Sequence, residues 1–310
     1  MDGVLYHYTS AKGLEGIVDG VTRSSFPKIY QEPGTHALYS TYSFDRTLRL
    51  EASDVRCMND TSELGHAGEV YAARLEAAAK ERPGLLNDLA EGLKANEFRP
   101  DPGQVFAACF SPRADDVDQW RCYAEGTGGF AIGVPREVLQ KHTYPLFNYP
   151  EPQWEFSYPP DVTLKKVSYS PDAIVSAADR FVETVKRSGD RPSALPWLRF
   201  QLAGELAAFK NPAFEREEEW RAFTHTMPPT HSPTPLFEEA KDGRFGRTPF
   251  TSFAVNMGTG WKPAAGATIA DLVVGPGPDQ RTQVSAAKEL LIRNGHDASV
   301  VRGSDVPLRG

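Results

Sequence analysis

Two glutamates and an arginine stand at alternate positions in the segment from Phe214 to Phe223. The alternation predicts a strand, in which successive side chains point to opposite faces. Glu217, Glu219 and Arg221 would then share one face, with Trp220 as the core anchor on the other. Carboxylates in such a place can stabilise positive charge or deprotonate an acceptor. A solvated charged face beside an edge strand is the alternative, which the pattern by itself favours.

A histidine near the start of the chain is the second candidate for chemistry. His7 lies between Tyr6 and Tyr8 in an apolar run from Val4 that predicts an opening strand, and Thr9 or Ser10 would cap the helix that follows. A ring with two nitrogens can hold a hydroxyl group by hydrogen bonding without changing charge. The alternative is a histidine whose hydrogen bonds are satisfied inside the core.

Other polar clusters have simpler explanations, although Asn59 stays open as a binding residue. Asp60 and Glu63 fit a helix cap better than a cation or sugar site, and the turn Gly275–Pro278 has two prolines where an anion would need amide donors. The seven histidines and three cysteines show no ligand spacing, so we expect no metal. A metal-dependent nuclease built on these acids is therefore disfavoured.

Composition restricts the class of protein further. The 310 residues carry a formal charge of −7, which argues against broad affinity for bare nucleic acid. The cysteines cannot all pair and lack a CxxC spacing, which favours a reducing cytoplasm. We expect no signal peptide and no membrane-spanning segment, because no apolar run is long enough. The sequence does not indicate the oligomeric state.

Short predicted strands alternate irregularly with helices, and no strict βαβ rhythm is visible. This arrangement favours an α+β fold over a doubly wound sheet, organised as a single domain over residues 1–310. Residues 143–160 are rich in proline and aromatic side chains and are interpreted as a surface excursion of the chain. A helix over residues 112–125 would bury Val117 and Trp120, and the last helix would lie between Pro278 and Asn294.

An ordered set of motifs resembles a bacterial family of unknown function, DUF2971, with AbiGi-like abortive-infection relatives. The resemblance runs over nearly the whole chain and is carried by these segments: Leu5–Ser10, Met58–Glu63, Phe110–Ser111, Asp118–Tyr123, Gly129–Gly133, Glu217–Arg221 and Val274–Pro276. The resemblance implies no reaction, since the family has none assigned. It adds phage defence and toxin activity to the possible roles.

The order of the same motifs also resembles the His-Tyr-Glu arrangement of ADP-ribosyltransferases. An opening strand with Tyr-His-Tyr-Thr is followed by a strand-serine-helix unit with a tyrosine, and then by a late strand with a glutamate. The resemblance implies a split mixed or antiparallel sheet core with helical insertions. It implies catalytic roles for His7, Tyr123 and Glu219. It also implies cofactor contacts from these residues: Tyr8, Thr9, Asn59, Ser111, Trp120, Arg121, Glu217 and Arg221.

The implied substrate is NAD, whose nicotinamide–ribose bond breaks through an oxocarbenium-like ribose, as in glycoside cleavage. His7 would bind the ribose, Tyr123 would stack on the cationic ring, and Glu219 would stabilise the developing charge. Arg121 and Arg221 would bind the diphosphate, although an ion pair with Glu217 or Glu219 is the alternative for Arg221. ADP-ribose would pass to a protein or nucleic-acid acceptor. An NAD glycohydrolase and a non-catalytic interaction or antitoxin module are the alternative functions.

Overall fold

The structure is a computed structural model of the chain. It describes the following residues, to which all structural statements refer: 3–19, 46–57, 63–94, 105–123, 128–146, 162–225, 239–243, 246–256 and 265–307. These residues divide into two compact units, each assembled from separate stretches of the chain. Unit 1 comprises the described parts of 1–52, 108–164 and 251–310, and unit 2 those of 53–107 and 165–250.

The strands are short, as the sequence predicts, and are numbered in chain order. Their bounds are β1 Val4–Thr9, β2 Leu48–Asp54, β3 Val105–Phe110, β4 Phe130–Pro135, β5 Thr143–Leu146, β6 Thr163–Lys166, β7 Trp220–His225, β8 Glu239–Gly243, β9 Gly246–Val255, β10 Asp271–Val274 and β11 Val301–Gly303.

The helices range from one and a half to five turns. Their bounds are α1 Ala11–Val18, α2 Glu63–Ala79, α3 Leu85–Lys94, α4 Val117–Tyr123, α5 Arg136–Lys141, α6 Pro171–Ser188, α7 Leu195–Leu206 and α8 Gln280–Arg293. A 3-10 helix at Pro212–Glu217 immediately precedes β7. Among the described residues, no helix combines the length and apolarity that a membrane crossing requires.

Unit 1 is built around a four-stranded mixed sheet in the order β1-β4-β10-β11. β4 is antiparallel to both β1 and β10, whereas β10 and β11 are parallel and are joined by α8. In β1 and β4, His7 is paired with Ile132 and Tyr8 with Ala131. An aromatic cluster of Tyr6, Tyr8 and Trp120 packs on one face of this sheet with Ala131 and Val273. The same unit holds the ladder β5–β9.

Unit 2 combines a helical core with its own strands. Buried apolar side chains of α2, α3, α6 and α7 form one cluster, which includes Tyr71, Leu89, Phe181 and Leu202. Inside this unit the end of β2 pairs with the start of β3 through Ser53–Ala107 and Asp54–Phe106, and β3, β7 and β6 follow one another as hydrogen-bonded neighbours. Phe223 of β7 packs with Ala203 and Ala207 at the end of α7. Helix α7 therefore covers the face of β7 from which the odd-numbered side chains project.

The presence of both strands and helices confirms the mixed α and β composition of the predicted α+β fold, while the ADP-ribosyltransferase-like core and the single domain stay predictions. Three local predictions are wrong. The segment from Phe214 is not one strand, since Pro212–Glu217 is a 3-10 helix and β7 begins at Trp220. Residues 143–146, placed in the surface excursion, form β5, and the rest of that excursion through residue 160 lies outside the described residues. Val117 is exposed because only one side of the short α4 faces the sheet.

Candidate functional site

The imidazole of His7 is held by the main chain. Its Nδ1 lies 2.9 Å from the carbonyl oxygen of Cys109, and its ring packs at 5.7 Å between centroids from Phe110. A carbonyl oxygen can only accept, so this contact is a hydrogen bond donated by a protonated Nδ1. In the neutral ring Nε2 is then the acceptor nitrogen. His7 is half-buried, which leaves part of its side chain in contact with solvent.

The strand that carries His7 is joined to the end of β3 by main-chain and side-chain bonds. The amides of Tyr6 and Ser111 each donate to the other residue's carbonyl oxygen, at 2.8 and 2.9 Å. The buried Ser111 hydroxyl accepts from the amide of Arg113. Ser111 therefore has a turn-forming role next to β1. These bonds explain how a residue on the opening strand receives a carbonyl from position 109.

The phenol of Tyr8 fixes the loop that follows Ser111. Its hydroxyl donates to the carbonyl oxygen of Arg113 at 2.8 Å and accepts from the amide of Asp116 at 3.1 Å. Burial raises the pKa of Tyr8, so the group stays protonated and able to donate.

The carboxyl group of Asp116 in the same loop is held in its ionised form. Burial opposes its ionisation, but hydrogen bonds from Arg113 and from the amides of Asp118 and Gln119 leave its pKa below the usual value.

Trp120 is the buried anchor of α4, as the sequence predicts. Its ring meets Tyr8 edge-on at 4.6 Å between centroids, and its indole Nε1 donates to Asp115 at 2.7 Å. The Asp115 carboxylate also accepts from the hydroxyl of Ser304 at 2.5 Å. Gly275 lies against the indole face, where a Cβ would come within 3.0 Å of the ring. The indole therefore serves as a packed core group with a satisfied N–H.

Tyr123 and His7 do not share their contacts. Tyr123, at the last position of α4, packs against the cluster that contains Tyr6, Tyr8 and Trp120. Because side chains alternate along β1, His7 leaves the strand on the face opposite Tyr6 and Tyr8. The structure therefore places the predicted ribose-binding histidine and the predicted stacking tyrosine on different faces of β1.

Two further predicted contact residues of unit 1 lie at the ends of their elements. Arg121 is exposed on α4, where a guanidinium can reach a ligand from solvent. Thr9 packs its side chain against Gly13 of α1, which has no room for a Cβ. Asn59 lies outside the described residues.

In unit 2, the predicted glutamates follow a turn that begins at a lysine. Asn211 caps the 3-10 helix by accepting from the amide of Ala213 at 2.9 Å, with Pro212 at the first position. Glu218 then adopts a left-handed backbone with φ 47° and ψ 38°. This reversal brings Glu217 and Glu219 back toward Lys210. The two glutamates are thus neighbours through a turn and not through a strand face.

Glu219 is buried between two cations. Its Oε1 accepts from Arg221 Nε at 2.8 Å, and its Oε2 lies 3.1 Å from both Arg221 Nη2 and Lys210 Nζ. Lys210 Nζ also donates to Glu217 Oε2 at 2.7 Å. Only 1% of the Arg221 side chain, 6% of Lys210 and 7% of Glu219 are exposed, against 25% of Glu217. We call these four residues the ion-pair cluster.

Main-chain bonds from the segment after β6 hold the cluster in place. The amide of Lys210 donates to the carbonyl oxygen of Ser168, and the amide of Val167 donates to that of Glu219. The amide of Glu219 donates to the hydroxyl of Tyr169 at 2.9 Å. Burial raises the pKa of Tyr169 to about 12, and the nearby Glu219 carboxylate acts in the same direction. Both ends of the turn are therefore attached to one short segment.

These contacts decide between the alternatives for the glutamate segment. Glu219 and Arg221 are buried, so the solvated charged face is wrong, and the predicted ion pair of Arg221 with Glu219 is confirmed. Trp220 is only half-buried, so its prediction as the core anchor of β7 is also wrong. The odd-numbered face of β7 lies against the end of α7, where the Ala207 carbonyl oxygen accepts from Arg221 at 2.8 Å, and Ala222 and Thr224 on the other face are also fully buried.

Sequence reasoning missed Lys210 and Tyr169 as members of this site. Lys210 stands before Asn211 and Pro212, outside the alternating segment that begins at Phe214. Lys210 and Glu217 do not lie in one continuous strand or α-helix, so only the turn between them brings the ammonium to the carboxylate. Among the described residues, no group of three or more histidine, cysteine, aspartate or glutamate side chains is arranged to hold a metal ion.

The architecture and these polar clusters define a mixed α/β protein with a main-chain-anchored histidine and a buried ion-pair cluster. Residues 119–222 match the family described as a protein of unknown function (DUF2971). This match supports the predicted DUF2971 resemblance over residues 119–222, while the AbiGi-like relatives and the resemblance over the rest of the chain stay predictions. No curated protein and no solved structure matches the chain significantly.

Proposed function

We propose that this protein binds NAD, cleaves its nicotinamide–ribose bond and transfers ADP-ribose to a macromolecular acceptor. The observation that carries the proposal is the anchoring of His7 through Nδ1 to the carbonyl oxygen of Cys109. In this proposal the bond at Nδ1 fixes the tautomer and the plane of the ring, and a ribose hydroxyl donates to Nε2. The bond needs no change of charge during the reaction, which suits a residue that only positions the substrate.

Glu219 is the carboxylate assigned to the developing positive charge on the ribose. Lys210 and Arg221 favour its ionised form, and the three short contacts restrict the direction in which its oxygens point. A fixed anion stabilises an oxocarbenium-like centre without reorganising during the reaction. In this proposal Arg221 acts on Glu219, while Arg121 remains the candidate for the diphosphate.

The acceptor is a protein or a nucleic acid, and the negative overall charge favours recognition through a local surface. Transfer forms a new bond from the anomeric carbon to an acceptor nucleophile as nicotinamide leaves. With water as the nucleophile the same site would act as an NAD glycohydrolase. Phage defence or toxin activity would follow from modification of a host target or from consumption of NAD.

The test is nicotinamide release from NAD by the wild-type protein, E219Q and H7A. We expect release by the wild type and a loss of about 100-fold or more in E219Q, because the charge-stabilising anion is gone. E215Q is the matched control, since Glu215 is an exposed glutamate of the neighbouring 3-10 helix. Circular dichroism of each variant establishes that it is folded.

Equal turnover by E219Q and E215Q would remove Glu219 from the mechanism. H7A tests the binding role separately, because its effect should be on KM. A folded H7A with unchanged KM would remove His7 from the nucleoside site.

A second candidate is a non-catalytic interaction or antitoxin module, which the engagement of Glu219 by two cations favours. Buried ion pairs of this kind also serve structure alone. A thermal-shift titration with NAD separates the candidates. A ligand that binds only the folded state stabilises it by about 2.7 kcal/mol at 100 times its Kd. No shift in Tm at saturating NAD would support the second candidate.

A further inference from the structure

The hydroxyl group of Tyr169 uses only part of its hydrogen-bonding capacity within the described residues. Its oxygen accepts from the main-chain amide of Glu219 at 2.9 Å. A phenol can also donate through its own hydrogen. Among the residues that the structure describes, the Tyr169 hydroxyl donates to no acceptor. Its hydrogen can therefore be donated to a group from outside the protein.

The other buried tyrosines of the described chain do use this hydrogen. Each donates to a carboxylate or a carbonyl oxygen, at 3.1, 2.8 and 3.4 Å respectively: Tyr6 to Asp271, Tyr8 to Arg113 and Tyr71 to Glu205. Tyr169 is buried to a similar degree, with 9% of the residue exposed. Buried hydroxyl groups in folded proteins are nearly always fully bonded, so a buried donor without a protein acceptor requires an explanation.

The main chain fixes the place of this phenol. The amide of Val167 donates to the carbonyl oxygen of Glu219 at 2.9 Å, and the amide of Lys210 donates to that of Ser168 at 3.1 Å. Tyr169 follows this segment directly, so it is held beside the ion-pair cluster. Because burial raises the pKa of Tyr169 to about 12, the hydroxyl keeps its hydrogen at neutral pH.

The charges around the phenol indicate which acceptor suits it. Lys210 and Arg221 contact the carboxylates of Glu217 and Glu219, so the two positive charges are balanced within the cluster. This balance leaves no excess positive charge to attract a phosphate group, whereas a neutral sugar hydroxyl needs only a donor. The side chain of Glu217 is 25% exposed, so the cluster can be reached from solvent on that side.

We propose that Tyr169 is a ligand-binding residue whose hydroxyl donates to a hydroxyl oxygen of the ribose next to the nicotinamide. The identity of the sugar rests on the proposed function, in which Glu219 acts at the same ribose. The phenol makes and breaks no covalent bond. It holds the sugar in a fixed position relative to Glu219, because the same oxygen accepts from the Glu219 amide.

Isothermal titration calorimetry tests the proposal with three ligands whose binding needs no cleavage. They are ADP-ribose and its two analogues in which the terminal ribose lacks the 2-hydroxyl or the 3-hydroxyl. We expect Y169F to bind ADP-ribose about 10-fold more weakly than wild type, as for the loss of one hydrogen bond. One analogue should bind equally well to both proteins, because the bond is already missing. Y71F is the matched control and should bind like wild type, since its buried hydroxyl contacts Glu205.

Three results would overturn the proposal. They are no binding of ADP-ribose to wild type, equal binding to wild type and Y169F, and the same loss in Y169F for all three ligands. The last result would mean that Tyr169 only supports the turn through the Glu219 amide. If circular dichroism shows that Y169F does not fold, wild type alone decides. One analogue must then bind about 10-fold more weakly than ADP-ribose, and equal affinities for the three ligands would overturn the proposal.

Nicotinamide release from NAD by wild type separates this proposal from the proposed function. If one analogue binds equally to wild type and Y169F but no nicotinamide is released, the cleavage reaction is contradicted and the role of Tyr169 stands. If nicotinamide is released but Y169F loses affinity equally for all three ligands, the role of Tyr169 is contradicted and the cleavage reaction stands.

Discussion

His7 in unit 1 and Glu219 in unit 2 are positioned by opposite means. His7 is held by a neutral hydrogen bond to a main-chain carbonyl, in a strand whose neighbours are paired residue by residue. Glu219 is held by charges, with Lys210 and Arg221 on its two oxygens. A neutral bond restricts a side chain at low cost, whereas buried charges depend on one another for stability. Loss of one partner should therefore do more damage in the ion-pair cluster.

The largest effect is expected for R221M in the ion-pair cluster. The substitution removes the guanidinium from a carboxylate that is almost fully buried, and breaking a buried pair in this way costs about 3–5 kcal/mol. Urea denaturation measures the free energy of unfolding. R216M is the control, because Arg216 is exposed in the adjacent 3-10 helix and should change stability by less than about 0.5 kcal/mol. If R221M and R216M lowered the free energy of unfolding by similar amounts, burial of the ion pair would not explain the cost of removing Arg221.

Y8F is expected to have an intermediate effect in unit 1. The missing hydroxyl would leave the carbonyl of Arg113 and the amide of Asp116 without this partner, at a cost of about 1–3 kcal/mol. The exposed hydrogen bond of Tyr144 is longer, at 3.4 Å, so Y144F should be close to neutral. Chemical denaturation of both variants gives the comparison. If Y8F lowered the free energy of unfolding as much as R221M does, then loss of a neutral hydrogen-bond partner would be as costly as loss of a charged one, contrary to the comparison above.

N211A separates the backbone of the turn from its charges. Asn211 caps the 3-10 helix through the amide of Ala213, and loss of such a cap costs about 1 kcal/mol. The charged groups of the cluster are untouched. If N211A destabilises the protein as much as R221M does, then the turn and not the ion pairs holds the glutamates in place.

The smallest effect is a change in pH dependence in Y6F. Burial, and then the neighbouring Asp271, raise the pKa of Tyr6 to about 12 from its ordinary value of 10.0. The folded state therefore holds this proton more tightly, so its contribution to stability is complete below pH 10 and is lost as the pH rises toward 12. Y6F should make the fall in stability between these values less steep. Its cost at neutral pH should be small, since Arg302 makes two hydrogen bonds to Asp271. If Y6F did not change how steeply the free energy of unfolding falls between pH 10 and pH 12, the raised pKa of Tyr6 would be contradicted.

Periodic patterns carried most of what could be predicted. The last helix was expected between Pro278 and Asn294 and runs from Gln280 to Arg293. Ser170 and Pro171 start α6 as a capping serine and first-position proline should. The path of the chain around Glu217 could not be predicted, because the left-handed backbone at Glu218 interrupts an alternation that looks continuous in the sequence.

By itself the sequence determined the mixed α and β composition, the opening strand with His7 and the burial of Trp120, because local apolar patterns specify elements and their inner faces. Tertiary structure alone decided that Glu219 and Arg221 are buried and that Lys210 also meets Glu219. Helix α7 covers the charged face of β7, and a turn brings Lys210 between two carboxylates. Such contacts join residues of different elements, so they exist only once the chain has folded.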